Sequence, residues 1–236
     1  MEPDPCIFAD RSAAGVALGR ELQRRYLQPP TIVLGLPRGG VPVAYEVARM
    51  LNLPLDVMPV RKVAMADQPE LAIGAIASGD IVVHEPGIAQ EYPELAGEFE
   101  RLAKVQRREL ERRERLYRRR NTPLQLKGKT VILVDDGLAT GCTMLAAIRA
   151  ARSAGADAVV AAAPVASSEA VALIRAEADN FVILQTPKRL VATSAWYARF
   201  EQIDDSDVCR LLDLNRKAQG DLSASKDGRR EGSSMR

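Results

Sequence analysis

The sequence predicts an α/β fold, a mostly parallel sheet flanked by helices with a hairpin and one long helix inserted. Hydrophobic residues make up 47% of the chain and aromatic residues only 4%, so the core must be aliphatic, as in layered α/β proteins. Short β-branched runs alternate with segments of helical periodicity, which calls for parallel strands joined by crossover helices. At 236 residues the chain is long enough for one domain with a sizeable core.

The elements follow in order. Ala14, Leu18, Leu22 and Tyr26 repeat every four residues, giving an amphipathic helix over 10–27 that Pro29-Pro30 ends. Thr31–Leu36 is a strand, Pro37-Arg38-Gly39-Gly40 a turn, Val41–Leu51 a helix, and Leu55–Val60 a second strand that completes a βαβ unit. Leu71–Ala77 and Ile81–His84, joined by Ser78-Gly79-Asp80, read as a hairpin. A long helix over 94–120 buries Leu95, Phe99, Leu102 and Val105 on one side, with Leu110 and Tyr117 continuing the stripe. Thr130–Val134 is the most apolar strand, and it leads through a glycine-containing loop into a helix ending near Gly155. Strand 158–163, helix 168–178 and strand 181–185 follow, with further packed structure over 186–214. The domain is expected over 1–215, and the Ser, Gly, Lys and Arg of 216–236 predict a disordered tail.

Composition also excludes. The net charge of +2 favours neither nucleic acid nor membrane as a partner. The three cysteines, Cys6, Cys142 and Cys209, are too scattered for a disulfide framework or a zinc site, which suits a reducing cytoplasm. The start of the chain has no basic segment followed by an apolar run, and its longest apolar stretch, 158–166, is too short to span a bilayer.

The chemistry concentrates in Val134–Thr143. A buried strand that ends in Asp135-Asp136 and turns through Gly137 and Thr140-Gly141-Cys142-Thr143 into a helix suits a phosphorylated sugar. The helix start offers free N–H groups and a positive dipole end to a phosphate, Gly141 permits close approach, and Thr140 and Thr143 add hydroxyls. The two carboxylates accept hydrogen bonds from adjacent ribose hydroxyls and face a ligand that carries magnesium. A Walker-type site would need G-x-x-x-x-G-K-[ST], which is absent, and Gly35, Gly39 and Gly40 lack dinucleotide-binding spacing despite Asp56 nearby.

This loop is similar to the signature of type I phosphoribosyltransferases for 5-phosphoribosyl-1-pyrophosphate (PRPP), in the version of adenine phosphoribosyltransferases. With Gly35–Pro42, Pro59–Lys62 and Glu70–Ile76, the resemblance extends to a bacterial subgroup of predicted phosphoribosyltransferases and covers residues 7–214. It implies that Asp135 and Asp136 hold the ribose and face the metal indirectly, and that Ala139, Thr140, Gly141, Cys142 and Thr143 hold the 5-phosphate. It makes Arg38, Gly39 and Gly40 the pyrophosphate loop, with Arg38, Asp135 and Asp136 the residues that carry catalysis. Arg61 and Lys62, at the end of the second strand, reach the leaving group or a cover formed by 63–68, where this sequence departs from the usual glycine- and proline-containing stretch. Trp196 and Tyr197 are candidates for contact with the base.

The implied activity is that of a pentosyltransferase, transferring phosphoribosyl from magnesium-bound PRPP to a nitrogenous acceptor and releasing pyrophosphate. Relatives that act on 6-oxopurines carry an aspartate where this chain has Ala139, so a simple enzyme of that type is disfavoured. The rival readings are a non-catalytic PRPP or nucleotide sensor and a helix-mediated interaction module; a homo-oligomer is compatible with each. Ten of residues 101–120 are basic, yet Glu100/Lys104, Glu109/Arg113, Glu111/Arg115 and Glu114/Arg118 are spaced for ion pairs on a solvated helix. Tyr117 alone offers a stacking ring there, so nucleic acid is not the expected partner. His84 and Cys142 have no partner motif for catalysis.

Overall fold

Parallel strands form the centre of the structure, a computed structural model that describes residues 8–25, 30–65, 72–79, 81–84, 95–118 and 124–231, with backbone alone at 72, 95, 96 and 221–231. The elements are α1 (Arg11–Gln23), β1 (Thr31–Gly35), α2 (Gly40–Leu51), β2 (Leu55–Val57), β3 (Val60–Ala64), β4 (Ala72–Ala77), β5 (Ile81–His84), α3 (Leu95–Tyr117), β6 (Thr130–Val134), α4 (Cys142–Ser153), β7 (Ala158–Val165), α5 (Ser168–Arg175), β8 (Asn180–Gln185), a 3-10 turn (Thr193–Trp196) and α6 (Asp205–Glu231). The main sheet has the order β2-β1-β6-β7-β8, with every pair parallel.

Both faces of this sheet are covered, which is why β1 and β6 are buried along their whole length. Successive residues of β6 divide between the layers. Val131 and Leu133 pack with Met144, Leu145 and Ile148 of α4, while Ile132 and Val134 pack with Val41, Val43 and Val47 of α2 and with Val208 and Leu212 of α6.

The chain leaves β1 for β2 on one side and β6 for β7 on the other, so the connections diverge between β1 and β6. A crevice opens at the carboxyl ends of strands at such a switch point. The register Gly35↔Val134 brings the loop after β1 and the loop after β6 to that place.

The expected second strand divides. After Val57 the chain passes Met58 and Pro59 and enters β3, which joins β4 and β5 in a separate antiparallel sheet. Proline supplies no N–H to continue a ladder, and Pro59 stands where the chain changes sheets. Arg61 and Lys62 thus lie within β3 rather than at the edge of the main sheet. The hairpin forms as expected, with Ala77↔Ile81 adjoining its turn. Phe99, Ala103 and Leu110 of α3 pack on Val63, Ile73 and Ile76 of this small sheet. Val105, expected on the buried stripe, is 59% exposed. Residues 66–68 of the expected cover lie outside the described residues.

The boundary expected at 216 falls inside α6, whose backbone is helical to Glu231. The middle of this helix is tied to the chain entering β2: Asn215 accepts from Leu55 N–H at 2.8 Å and donates to Leu53 O at 3.1 Å. No helix among the described residues is long and apolar enough to cross a membrane.

Candidate functional site

A cavity of about 360 Å³ opens at the switch point, lined by Pro37, Val60, Arg61, Lys62 and the stretch 135–141 together with Thr143, Met144 and Thr193. Part of the lining is the loop after β6, and part comes from β3 of the small sheet. The insertion therefore contributes directly to the site.

The loop is held by one hydrogen bond of its own and by others to the end of β7 and the residue that caps α5. Asp136 N–H donates to Asp135 Oδ1 at 2.9 Å, Leu138 N–H donates to Val165 O at 2.9 Å, and Ser167 Oγ donates to Ala139 O at 2.6 Å. Ser167 also caps α5, accepting from Ala170 N–H at 2.9 Å. Gly141, with φ 83°, occupies the left-handed region as the chain enters α4, and its Cα lies against Ala170. Ala139 and Thr140 are exposed. Cys142 is buried in the core and does not line the cavity; its N–H donates to Thr140 Oγ1 at 3.4 Å.

The two carboxylates differ. Burial, followed by the neighbouring charge of Asp136, pushes the Asp135 carboxyl well above its ordinary value. Burial also raises Asp136, but the Arg11 guanidinium opposes the shift. Arg11 Nε donates to Asp136 Oδ2 at 2.7 Å, with the two side chains 10% and 15% exposed. Lys62 adds positive charge toward both acids.

The Pro37–Arg38 peptide is cis, and the loop that follows packs directly on the acids. A Cβ on Gly39 would collide with Asp136 Oδ2, and one on Gly40 would lie 2.6 Å from Val134 O. Gly40 N–H donates to Leu36 O at 3.1 Å, so it holds the turn rather than reaching for an anion. Arg38, Gly39 and Gly40 are not among the lining residues. Arg38 is close enough to Arg61 to help lower its pKa, after burial and the charge of Arg113. Arg61 itself donates to Gln106 Oε1 on α3 at 3.0 and 2.8 Å, through Nε and one terminal nitrogen.

The cavity thus brings together Arg61, Lys62, Asp135, Asp136, Ala139, Thr140, Gly141 and Thr143 of the residues picked from sequence. The aromatic pair is placed differently. Trp196 is 9% exposed and packs with Phe8, Ala14 and Val165, and Tyr197 is 6% exposed with its hydroxyl on the backbone of Asp136. Neither lines the cavity, because both side chains are taken up by a buried cluster with Phe8 and Val165, and Phe8 N–H donates to Trp196 O at 2.8 Å. Sequence reasoning missed Arg11, Ser167 and Thr193. Arg11 carries one local hint, a cation at a helix N-terminus where the dipole disfavours it.

Residues 13–191 match the family described as the phosphoribosyl transferase domain. The chain belongs to that family. Proteins from two strains of Mycobacterium tuberculosis, each named provisionally as a phosphoribosyl transferase, are 41% identical to it over 210 residues, covering 88% of this chain and 46% of theirs. The chain spans about half the length of these curated relatives. The crystal structure of TT1426 from Thermus thermophilus superposes with a TM-score of 0.71 at 42% identity, covering 87% of this chain and 97% of that one. The parallel sheet flanked by helices is the α/β fold of that domain.

Proposed function

We propose that this phosphoribosyl transferase domain binds magnesium–PRPP and transfers the phosphoribosyl group to a nitrogenous acceptor, releasing pyrophosphate as a pentosyltransferase. The observation that carries the reading is the paired carboxylate at the end of β6, set beside a loop that opens into the cavity and leads into α4. Asp135 and Asp136 accept hydrogen bonds from the ribose hydroxyls. Ala139, Thr140, Gly141 and Thr143 receive the 5-phosphate at the start of α4, where backbone N–H groups and the helix dipole favour an anion.

The reaction is displacement at the anomeric carbon through a transition state resembling an oxocarbenium ion. The C–O bond to pyrophosphate breaks as the bond to the acceptor nitrogen forms, so leaving-group charge must be stabilised more than a covalent nucleophile is needed. Arg38, Arg61 and Lys62 supply cations for that end of the ligand. Two neighbouring carboxylates suit magnesium that arrives with the diphosphate, since this ion uses one or two protein carboxylates and completes its shell with phosphate oxygens and water. When bound, it neutralises the departing pyrophosphate. Ala139 takes no proton, so the acceptor is one that needs no base at that position.

Pyrophosphate release from magnesium–PRPP across a panel of purine, pyrimidine and simple amine acceptors tests the proposal. Release with one acceptor class supports transfer. Tight PRPP binding with no release under any acceptor would convert the reading to that of a sensor, and absence of PRPP binding would end both.

A further inference from the structure

Arg11 occupies a place that neither helix propensity nor solvation explains. It is the first residue of α1, where the helix dipole disfavours a cation, and its side chain is 10% exposed. Removing a guanidinium from water is costly unless its hydrogen bonds and charge are matched. Three partners match it. Arg11 Nε meets Asp136 Oδ2 at 2.7 Å, one terminal nitrogen donates to Glu201 O at 2.7 Å, and the guanidinium carbon lies 3.7 Å from the centre of the Phe200 ring. These partners are remote in sequence, so only the folded chain assembles them.

The consequence falls on Asp136. Its Oδ2 is turned to Arg11 and lies against Gly39, while Oδ1 accepts no hydrogen bond from any other described side chain. We infer that Arg11 is a positioning residue of the ribose subsite: it holds Asp136 by one oxygen so that the other is presented to a ribose hydroxyl. A planar guanidinium restrained by Phe200 and Glu201 directs its Nε–H along one line, which a flexible ammonium does not reproduce. The inference rests on the PRPP reading above, because it concerns how one of the two proposed ribose acceptors is aimed.

Calorimetry on the full chain, with ribose 5-phosphate and inorganic phosphate as probes, tests it. Arg11→Gln should weaken ribose 5-phosphate about tenfold, the lower end of what a lost charge-assisted hydrogen bond does, and leave inorganic phosphate within about threefold. Arg11→Lys should recover part of the loss, since the charge returns without the directed Nε–H. Phe200→Leu, which leaves every hydrogen bond of the site in place, should weaken ribose 5-phosphate in the same direction by a smaller factor and serves if Arg11→Gln does not fold. Unchanged ribose 5-phosphate binding in folded variants overturns the inference, as does an equal loss of both probes, the mark of a merely structural ion pair. A parent protein that binds neither probe removes the PRPP reading and this inference with it.

Discussion

The Tyr197 hydroxyl donates to the backbone carbonyl of Asp136 at 2.5 Å, so the segment after β8 props the acid loop from beneath. Burial, followed by the charges of Asp136 and Asp135, raises the Tyr197 pKa, which keeps the phenol protonated as the donor this bond requires. Arg11 reaches the side chain of the same residue from α1, and elements near both ends of the domain thereby converge on Asp136, one at its carboxylate and one at its backbone carbonyl.

Tyr197→Phe is expected to cost about 1–2 kcal/mol, because it leaves a carbonyl unpaired and removes no apolar contact. Urea unfolding measures that loss. The acceptor profile should not change, since the ring is buried and does not line the cavity; a shift in base preference would make Tyr197 a base contact.

Gly39→Ala separates conformation from space. Gly39 has φ −61°, which any residue adopts, so alanine brings no backbone strain. Its methyl would nevertheless collide with Asp136 Oδ2 and displace the carboxylate. Overpacking of this kind costs about 1–3 kcal/mol. Magnesium–PRPP affinity should fall alongside stability, and a variant that binds as tightly as the parent would show that Asp136 is not part of the ribose site.

Asp135→Asn carries opposite effects on stability and binding. Below the ordinary carboxyl value of 3.8 both folded and unfolded chains hold the proton, and Asp135 has no pH-linked effect. Because the folded value is raised, the folded chain keeps its proton after the unfolded chain has lost it, and stability declines as pH rises through that window. The variant should therefore be at least as stable as the parent at neutral pH, with its advantage absent in acid. Denaturant titrations at several pH values check the sign. Binding should move the other way: losing an anionic acceptor weakens magnesium–PRPP roughly ten- to a hundredfold.

Arg38→Ala tests the pyrophosphate end. Arg38 follows Pro37, a lining residue, and its charge reaches Arg61. The substitution should weaken PRPP much more than ribose 5-phosphate, which lacks the diphosphate. Equal losses in parallel titrations would assign Arg38 to holding the loop.

By itself, the sequence determined the strands and helices of the main sheet up to β8, apart from the break of the second strand after Val57, and the chemical character of the central loop. Thr130–Val134 is a strand in the pattern and a strand in the structure, because an uninterrupted β-branched and aliphatic run suits a position buried on both faces. The acids and the start of α4 were equally legible, since a strand end, a left-handed glycine and a helix start are neighbours in the chain. Tertiary structure alone decided which distant groups attend that loop. Arg11 stands 125 residues from Asp136 and Tyr197 stands 61 from it, and no local periodicity encodes such pairings. Whether Trp196 and Tyr197 face a ligand or a core depends on the path of the chain after β8, and the same aromatic side chains suit either place. Likewise Arg61 is a cation in any reading, yet only the turn at Pro59 into a second sheet sets it in the lining of the same cavity as Asp135.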